Sequence, residues 1–108
     1  MHLDRYRQLL AALKDVLIQS NEARFVEYVD GALAESDEGL ETFLVSNELW
    51  GGPGSIADEA GMDLGREGRR PIEAALVRLG KAQVQGGLVN IRTAGWVDAF
   101  QSWQNRGI

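Results

Sequence analysis

Apolar side chains recur at three- and four-residue steps along most of this chain, a spacing that places them on one face of successive helices. Only Leu88–Ile91 reads as extended, and this segment is too short to argue for a sheet. The sequence therefore predicts an all-α protein. The clearest stripe predicts a helix from about Leu3 to Gln19 and consists of Tyr6, Leu9, Leu10, Leu13, Val16 and Leu17.

Residues that favour helix starts mark the later helices. Asn21 is the predicted cap of a second helix, which runs to about Glu35, and Ser36 is the predicted cap of a third. Pro71 suits the first turn of another helix, and Thr93 can cap the last one. We expect a single small domain over residues 1–108, with five to six helices in an irregular bundle.

A glycine-rich block interrupts the helical pattern between Gly51 and Gly68 and holds six of the thirteen glycines. Inside it, Ser55 followed three residues later by Asp58 indicates a capped short helix, which ends near Ala60 before a left-handed Gly61. We expect the block to form a long Gly-rich central loop. Such a loop either is an ordered connector or serves a function.

The composition gives catalysis little to work with. The chain has no cysteine and one histidine, His2, near its start. Thiolate nucleophiles and metal sites built from two histidines are therefore excluded. We expect no enzymatic activity, no catalytic residues, no metal site and no cofactor.

Membrane insertion and nucleic-acid binding are also disfavoured. The longest uncharged run, Ala82–Ile91, has ten residues, half of the roughly 20 that span a bilayer. The net charge of −5 opposes contact with phosphates. The absence of cysteine fits a reducing compartment, so we expect a cytoplasmic protein. We also expect a bacterial source.

The sequence contains parts of a nucleotide-binding motif and of a DNA-binding motif, but each lacks residues that the motif requires. A phosphate-binding loop needs a lysine after its second glycine, whereas the only lysines are Lys14 and Lys81. Ala57 and Gly61 have the spacing of a helix-turn-helix, but Glu67 and Arg70 then stand where apolar residues are required. Nucleic acid is therefore an unlikely partner.

Charge is divided unevenly along the chain. Residues 1–61 carry twelve acidic and four basic residues, whereas residues 62–92 carry three acidic and six basic ones. An acidic surface suits a basic partner, and the arginine-rich segment suits an anion.

The leading hypothesis is a small acidic protein-interaction module, and an inhibitor or immunity-type protein that covers a basic partner is one form of it. Acidic residues would contact the partner, and tryptophans would anchor it. Helix capping with a hydrated face, and core packing, are the alternative interpretations of the same residues. The predicted partner-binding residues are Glu35, Asp37, Glu38, Glu41, Trp50 and Trp103.

The competing hypothesis is a small anion- or nucleotide-binding regulatory domain that uses the segment Gly51–Arg70. Arginine binds anions through its forked donors, and a helix N-terminus adds backbone amides. The same arginines could instead pair with neighbouring acids in a solvated rim. The residues of this alternative site are Ser55, Arg66, Arg69 and Arg70.

Overall fold

A computed structural model of the chain describes residues 3–107, and every regular element in this range is helical. The all-α prediction is thus confirmed. Five helices have eight or more residues, and three short helical turns complete the chain. In chain order the elements are α1 (Leu3–Gln19), α2 (Ala23–Leu33), α3 (Asp37–Leu44), α4 (Asn47–Trp50), α5 (Ile56–Glu59), a 3-10 turn (Met62–Leu64), α6 (Gly65–Gly86) and α7 (Thr93–Asn105).

The helices form one globule, with a Cα radius of gyration of 12.7 Å. α1 packs against α2 on one side and α6 on another, and α6 also packs against α7. The apolar stripe of α1 faces these neighbours, and Leu10, Leu13 and Leu17 are fully buried. Trp50 is fully buried as well.

The first helix has the predicted bounds, but its end is made differently from the prediction. Asn21 does not cap α2; it adopts a left-handed conformation with φ 59°. Its N–H donates to the Ile18 carbonyl at 3.0 Å, and that of Glu22 donates to the Leu17 carbonyl at 2.9 Å. This bond pair closes the C-terminus of α1, and asparagine tolerates the left-handed region better than most residues.

Both predicted serine caps are confirmed. The Ser36 hydroxyl accepts from the Gly39 N–H at 3.3 Å at the start of α3, and the Ser55 hydroxyl accepts from the Asp58 N–H at 3.0 Å at the start of α5. Gly61 has φ 79°, as expected for a residue that ends a helix.

The long Gly-rich loop is not confirmed, because α5, the 3-10 turn and the first turn of α6 occupy most of the block. α6 begins at Gly65, and Pro71 lies inside it instead of in its first turn. Thr93 is the first residue of α7; its hydroxyl accepts from the Asn90 N–H at 3.0 Å and so braces the preceding turn instead of capping the helix.

Candidate functional site

An acidic groove lies between α2, α3 and the start of α4, with a volume of about 500 Å³. Three carboxylates surround it: Glu27 from α2, Glu35 from the following turn and Glu48 from α4. Tyr28, which is half-buried, and Phe43, which is only 8% exposed, also line it. The complete lining is Glu27, Tyr28, Gly31, Ala32, Glu35, Gly39, Thr42, Phe43, Ser46 and Glu48.

Arg7 of α1 fixes the turn at one end of this acidic groove. Its guanidinium donates to the carbonyls of Leu33 and Glu35, each at 3.1 Å, and to the Asp37 carboxylate at 3.0 Å. The Leu33 carbonyl ends α2, where helix carbonyls lack partners within the helix, and the Glu35 carbonyl lies in the turn that follows. Arg7 therefore connects α2 to α3 and pairs with the exposed Asp37, but it leaves the Glu35 carboxylate available.

Two glycines keep the acidic groove open. A Cβ at Gly31 would meet no atom within 4 Å, so this wall faces open space. A Cβ at Gly39 would lie 2.5 Å from Oε2 and 2.9 Å from Cβ of Glu35. Glu35 therefore rests against the backbone of α3, an approach that glycine permits.

The groove carboxylates have no cation of their own. Among residues 3–107, no lysine or arginine nitrogen lies within 4.0 Å of Glu27, Glu35 or Glu48. The groove therefore presents uncompensated negative charge beside aromatic surface.

The predicted partner-binding residues fall into four places. Glu35 lines the acidic groove, and Asp37, Glu38 and Glu41 follow it on α3, where Asp37 and Glu38 are exposed and Glu41 is half-buried. The tryptophans lie elsewhere. Trp50 has 0% exposure, and its indole N–H donates to Gln83, so it is a core residue and not a surface anchor. Trp103 is half-buried and lines a different cavity.

The residues of the alternative anion site do not come together, because Arg66 and Arg69 line one cavity and Ser55 and Arg70 do not line it. Ser55 is buried, and its hydroxyl donates to the Gly51 carbonyl at 2.8 Å while capping α5. The nearby Gly54 N–H donates to the Glu59 carboxylate. The chain's own groups therefore already use these donors. Arg70 is half-buried, and its Nε has no hydrogen-bond partner among the described residues.

Arg66 and Arg69 converge on the fully buried Glu73. The Arg66 guanidinium donates to both Glu73 oxygens, at 2.8 and 3.0 Å, and Nε of Arg69 lies 3.8 Å from one of them. The hydrogen bonds to Glu73 raise the pKa of Arg66, whereas burial lowers the pKa of Arg69. Arg69 also donates to the carbonyls of Ala57 and Ala60. These arginines therefore connect α6 to α5.

The surface has two cavities that the sequence does not predict. Arg5 of α1 joins Arg78 and Lys81 of α6 around a cavity of about 380 Å³. The Arg78–Lys81 spacing in the sequence places those two on one helix face, but only tertiary packing brings Arg5 to them. The second feature is the cavity beside Trp103, lined by Met62, Gly65, Arg66, Arg69 and Trp103.

Within residues 3–107, no group of three or more metal-ligating side chains has a suitable arrangement. In the same range no helix has both the length and the apolar character needed to cross a membrane. His2 lies outside the described residues. Comparisons with protein-family models, curated proteins and solved structures find no match to this chain.

Proposed function

We propose that this protein is a small interaction module that binds a basic segment of another protein in the acidic groove. One observation carries the proposal: Glu27, Glu35 and Glu48 surround a concave surface without a paired cation among the described residues. The proposed role is binding and not catalysis, in a cytoplasmic setting.

Electrostatic attraction makes the acidic groove selective for basic partners. The groove carboxylates lose little solvation when a lysine or arginine approaches, because Glu27, Glu35 and Glu48 are exposed in the free protein. Opposite charge raises the rate of encounter and rejects acidic partners. Exposed ion pairs contribute only about 0–1 kcal/mol each, so the charges alone do not make a tight complex.

The aromatic surface of the groove supplies the remaining affinity. Tyr28 packs edge-on against Phe25, with ring centroids 5.8 Å apart, and this contact restricts its ring. Phe43 lies on the α3 side of the groove. Tyrosine is enriched in binding hot spots because it combines apolar area with a polar tip. The fitting partner segment is therefore amphipathic, with basic residues beside an apolar one.

An inhibitor or immunity-type role is one form of this function. A basic partner that acts on nucleic acid would lose its phosphate-binding surface when this groove and the neighbouring Asp37, Glu38 and Glu41 cover it. For the competing anion- or nucleotide-binding role, Ser55 and the Gly54 N–H offer no free donor, and the contact in the segment Gly51–Arg70 that favours an anion is Arg69 Nη1, which has only the Met62 sulfur as its acceptor among the described residues.

The test is co-purification of the tagged protein from its source cells at low and high salt, with mass spectrometry of the bound proteins. The groove variant carries Glu27→Gln, Glu35→Gln and Glu48→Gln. We expect one basic partner in stoichiometric amount, released by salt and bound about tenfold or more weakly by the groove variant.

The matched control neutralises three exposed carboxylates outside the groove through Asp15→Asn, Asp63→Asn and Asp98→Asn. Both variants change the net charge equally, so only a groove-specific contact separates them. Equal retention of the partner by wild type and groove variant would contradict the proposal. If phosphate or nucleotide raises the melting temperature and no protein binds, the anion-binding role is favoured instead.

A further inference from the structure

A second cavity, of about 400 Å³, lies where the 3-10 turn meets α6 and α7. Met62, Gly65, Arg66, Arg69 and Trp103 line it, and none of them lines the acidic groove. Its volume falls within the range of small-ligand sites, which combine apolar walls with a few polar groups. The contacts of those polar groups indicate what the cavity can bind.

Arg69 lines this cavity, and one nitrogen of its guanidinium has only a weak hydrogen-bond acceptor among the described residues. Its side chain is only 9% exposed. Nε and Nη2 donate to carbonyl oxygens of the α5 region, whereas the partner of Nη1 is the Met62 sulfur at 3.5 Å. A thioether is a weak acceptor, so this nitrogen of a largely buried cation has no strong acceptor among residues 3–107. An oxygen that displaced this sulfur would gain a charge-assisted hydrogen bond.

Met62 and Trp103 are the apolar walls of the cavity. Met62 is 61% exposed and Trp103 is half-buried. Methionine side chains rearrange easily around a ligand. Trp103 is held in place because the Arg66 guanidinium lies 5.2 Å from its ring centroid and Phe100 packs against it at 5.7 Å.

We propose that this cavity binds an apolar or aromatic group that carries one carboxylate. The carboxylate accepts from Nη1 of Arg69 in place of the Met62 sulfur, and the apolar group packs between Met62 and Trp103. Either a free organic acid or the C-terminal residue of a peptide offers this chemistry. The site is independent of the acidic groove and of the basic partner proposed for it.

The first test is an NMR titration of the full chain with 3-phenylpropionate and with its neutral amide, 3-phenylpropanamide. The probes differ only in the charged group. We expect the Trp103 indole and Arg69 Nε signals to shift with the acid, and the amide to bind at least tenfold more weakly. Equal affinity for the two probes, or no binding of the acid, would overturn the proposal.

A second test places a carboxylate in the cavity from within the chain. Met62→Glu changes an exposed residue, so the fold is retained, and the new carboxylate competes for Arg69. Ile91→Glu is the matched control, because Ile91 is 95% exposed and does not line the cavity. We expect at least a tenfold loss of 3-phenylpropionate affinity for Met62→Glu and none for Ile91→Glu. Unchanged affinity in Met62→Glu would refute the assigned contact.

A third titration separates the two sources of the ligand. It uses the acetylated tripeptide Gly-Gly-Phe with a free or an amidated C-terminus. Binding of the free-ended peptide in preference to 3-phenylpropionate assigns the site to a chain terminus, and the reverse preference assigns it to a small acid. Failure of both carboxylates to bind refutes the proposal.

Discussion

Gln83 lies fully buried in the core and joins three separate segments through its carboxamide. Its oxygen accepts from the Trp50 indole N–H at 2.9 Å. Its nitrogen donates to the carbonyls of Leu44, at 2.7 Å, and Leu88, at 2.9 Å. One side chain thus satisfies a donor of α4, an acceptor of α3 and an acceptor in the turn after α6.

Replacing this carboxamide measures its contribution to the stability of the fold. Gln83→Leu leaves one N–H and two carbonyls without partners, and each such buried group costs about 1–3 kcal/mol. We expect a loss of about 3 kcal/mol in the free energy of unfolding, measured by urea denaturation with tryptophan fluorescence. Gln85→Leu, at an exposed position of the same helix, should stay within about 0.5 kcal/mol. Equal effects of the two substitutions would contradict this assignment.

Gly80 allows α7 and α4 to approach α6 closely. A Cβ at this position would lie 2.3 Å from Cγ2 of Val97 and 3.1 Å from Cη2 of Trp50. Gly80→Ala should therefore destabilise the fold by about 1–3 kcal/mol despite alanine's higher helix propensity.

The matched substitution is Gly95→Ala, also within a helix but with no atom within 4 Å of the added Cβ. It should stabilise the fold by about 0.5–1 kcal/mol. Thermal unfolding of both variants measures the difference. A stabilised Gly80→Ala protein would show that α6 and α7 do not pack this closely.

At the residue scale, the sequence predicts which serines cap helices more reliably than it predicts which side chains are buried. Ser36 and Ser55 cap helices as predicted, because capping depends on residues only three positions away. Trp50 is a predicted partner-binding residue with core packing as the alternative, and Gly80 and Gln83, some thirty residues further on, enclose it in the core. Contacts at that separation leave no local signal in the sequence.

At the scale of elements, the start of α6 depends on an ion pair that spans a proline. Arg66 and Glu73 are seven residues apart, about two helical turns, on either side of Pro71. Their bidentate contact holds together a helix in which Pro71 supplies no N–H. Arg69 joins the same carboxylate at 3.8 Å and connects it to α5.

Neutralising this carboxylate should weaken the junction of α5 and α6. Glu73 is fully buried, and Glu73→Gln keeps its shape but leaves two arginines facing an uncharged group. We expect a loss of about 3 kcal/mol in the free energy of unfolding, measured by urea denaturation. The control is Glu67→Gln, an exposed residue in the first turn of α6, which should change it by less than about 0.5 kcal/mol. A Glu73→Gln protein as stable as wild type would contradict this role.

Helix periodicity predicted the bounds of α1 because its apolar stripe is uninterrupted over the whole element. The same reasoning misplaced the start of α6. Pro71 favours a first turn locally, whereas the contacts of Arg66 and Arg69 with Glu73 extend the helix back to Gly65. The sequence also does not predict the 3-10 turn or the first turn of α6 within the glycine-rich block, because glycine has a low intrinsic helix propensity.

At the scale of the whole molecule, α1 separates the acidic groove from the cation cluster of Arg5, Arg78 and Lys81. Near its start, Arg7 contacts the turn at the end of the acidic groove, whereas Arg5 faces the cations Arg78 and Lys81 of α6. The sequence showed the imbalance between residues 1–61 and 62–92 but not the groove. Glu27 and Glu48 join Glu35 only through packing of α2, α3 and α4.

A groove kept for binding should not contribute to stability. Glu27, Glu35 and Glu48 add unpaired negative charge to a chain of net charge −5. The groove variant with all three changed to glutamine should be as stable as wild type, or more stable by up to about 1 kcal/mol at low ionic strength. Added salt should remove the difference in melting temperature. A clearly destabilised variant would show that these carboxylates support the fold.

The most direct test of the acidic groove as a docking surface is photo-crosslinking inside the source cells. A photoreactive phenylalanine replaces Thr42, an exposed residue of the groove, or Val84, an exposed residue of α6 outside it. We expect a single basic protein to crosslink from position 42, to be absent from position 84, and to disappear when the three groove glutamates become glutamine. Crosslinking to that protein from position 84 alone, or undiminished crosslinking in the glutamine variant, would contradict the account.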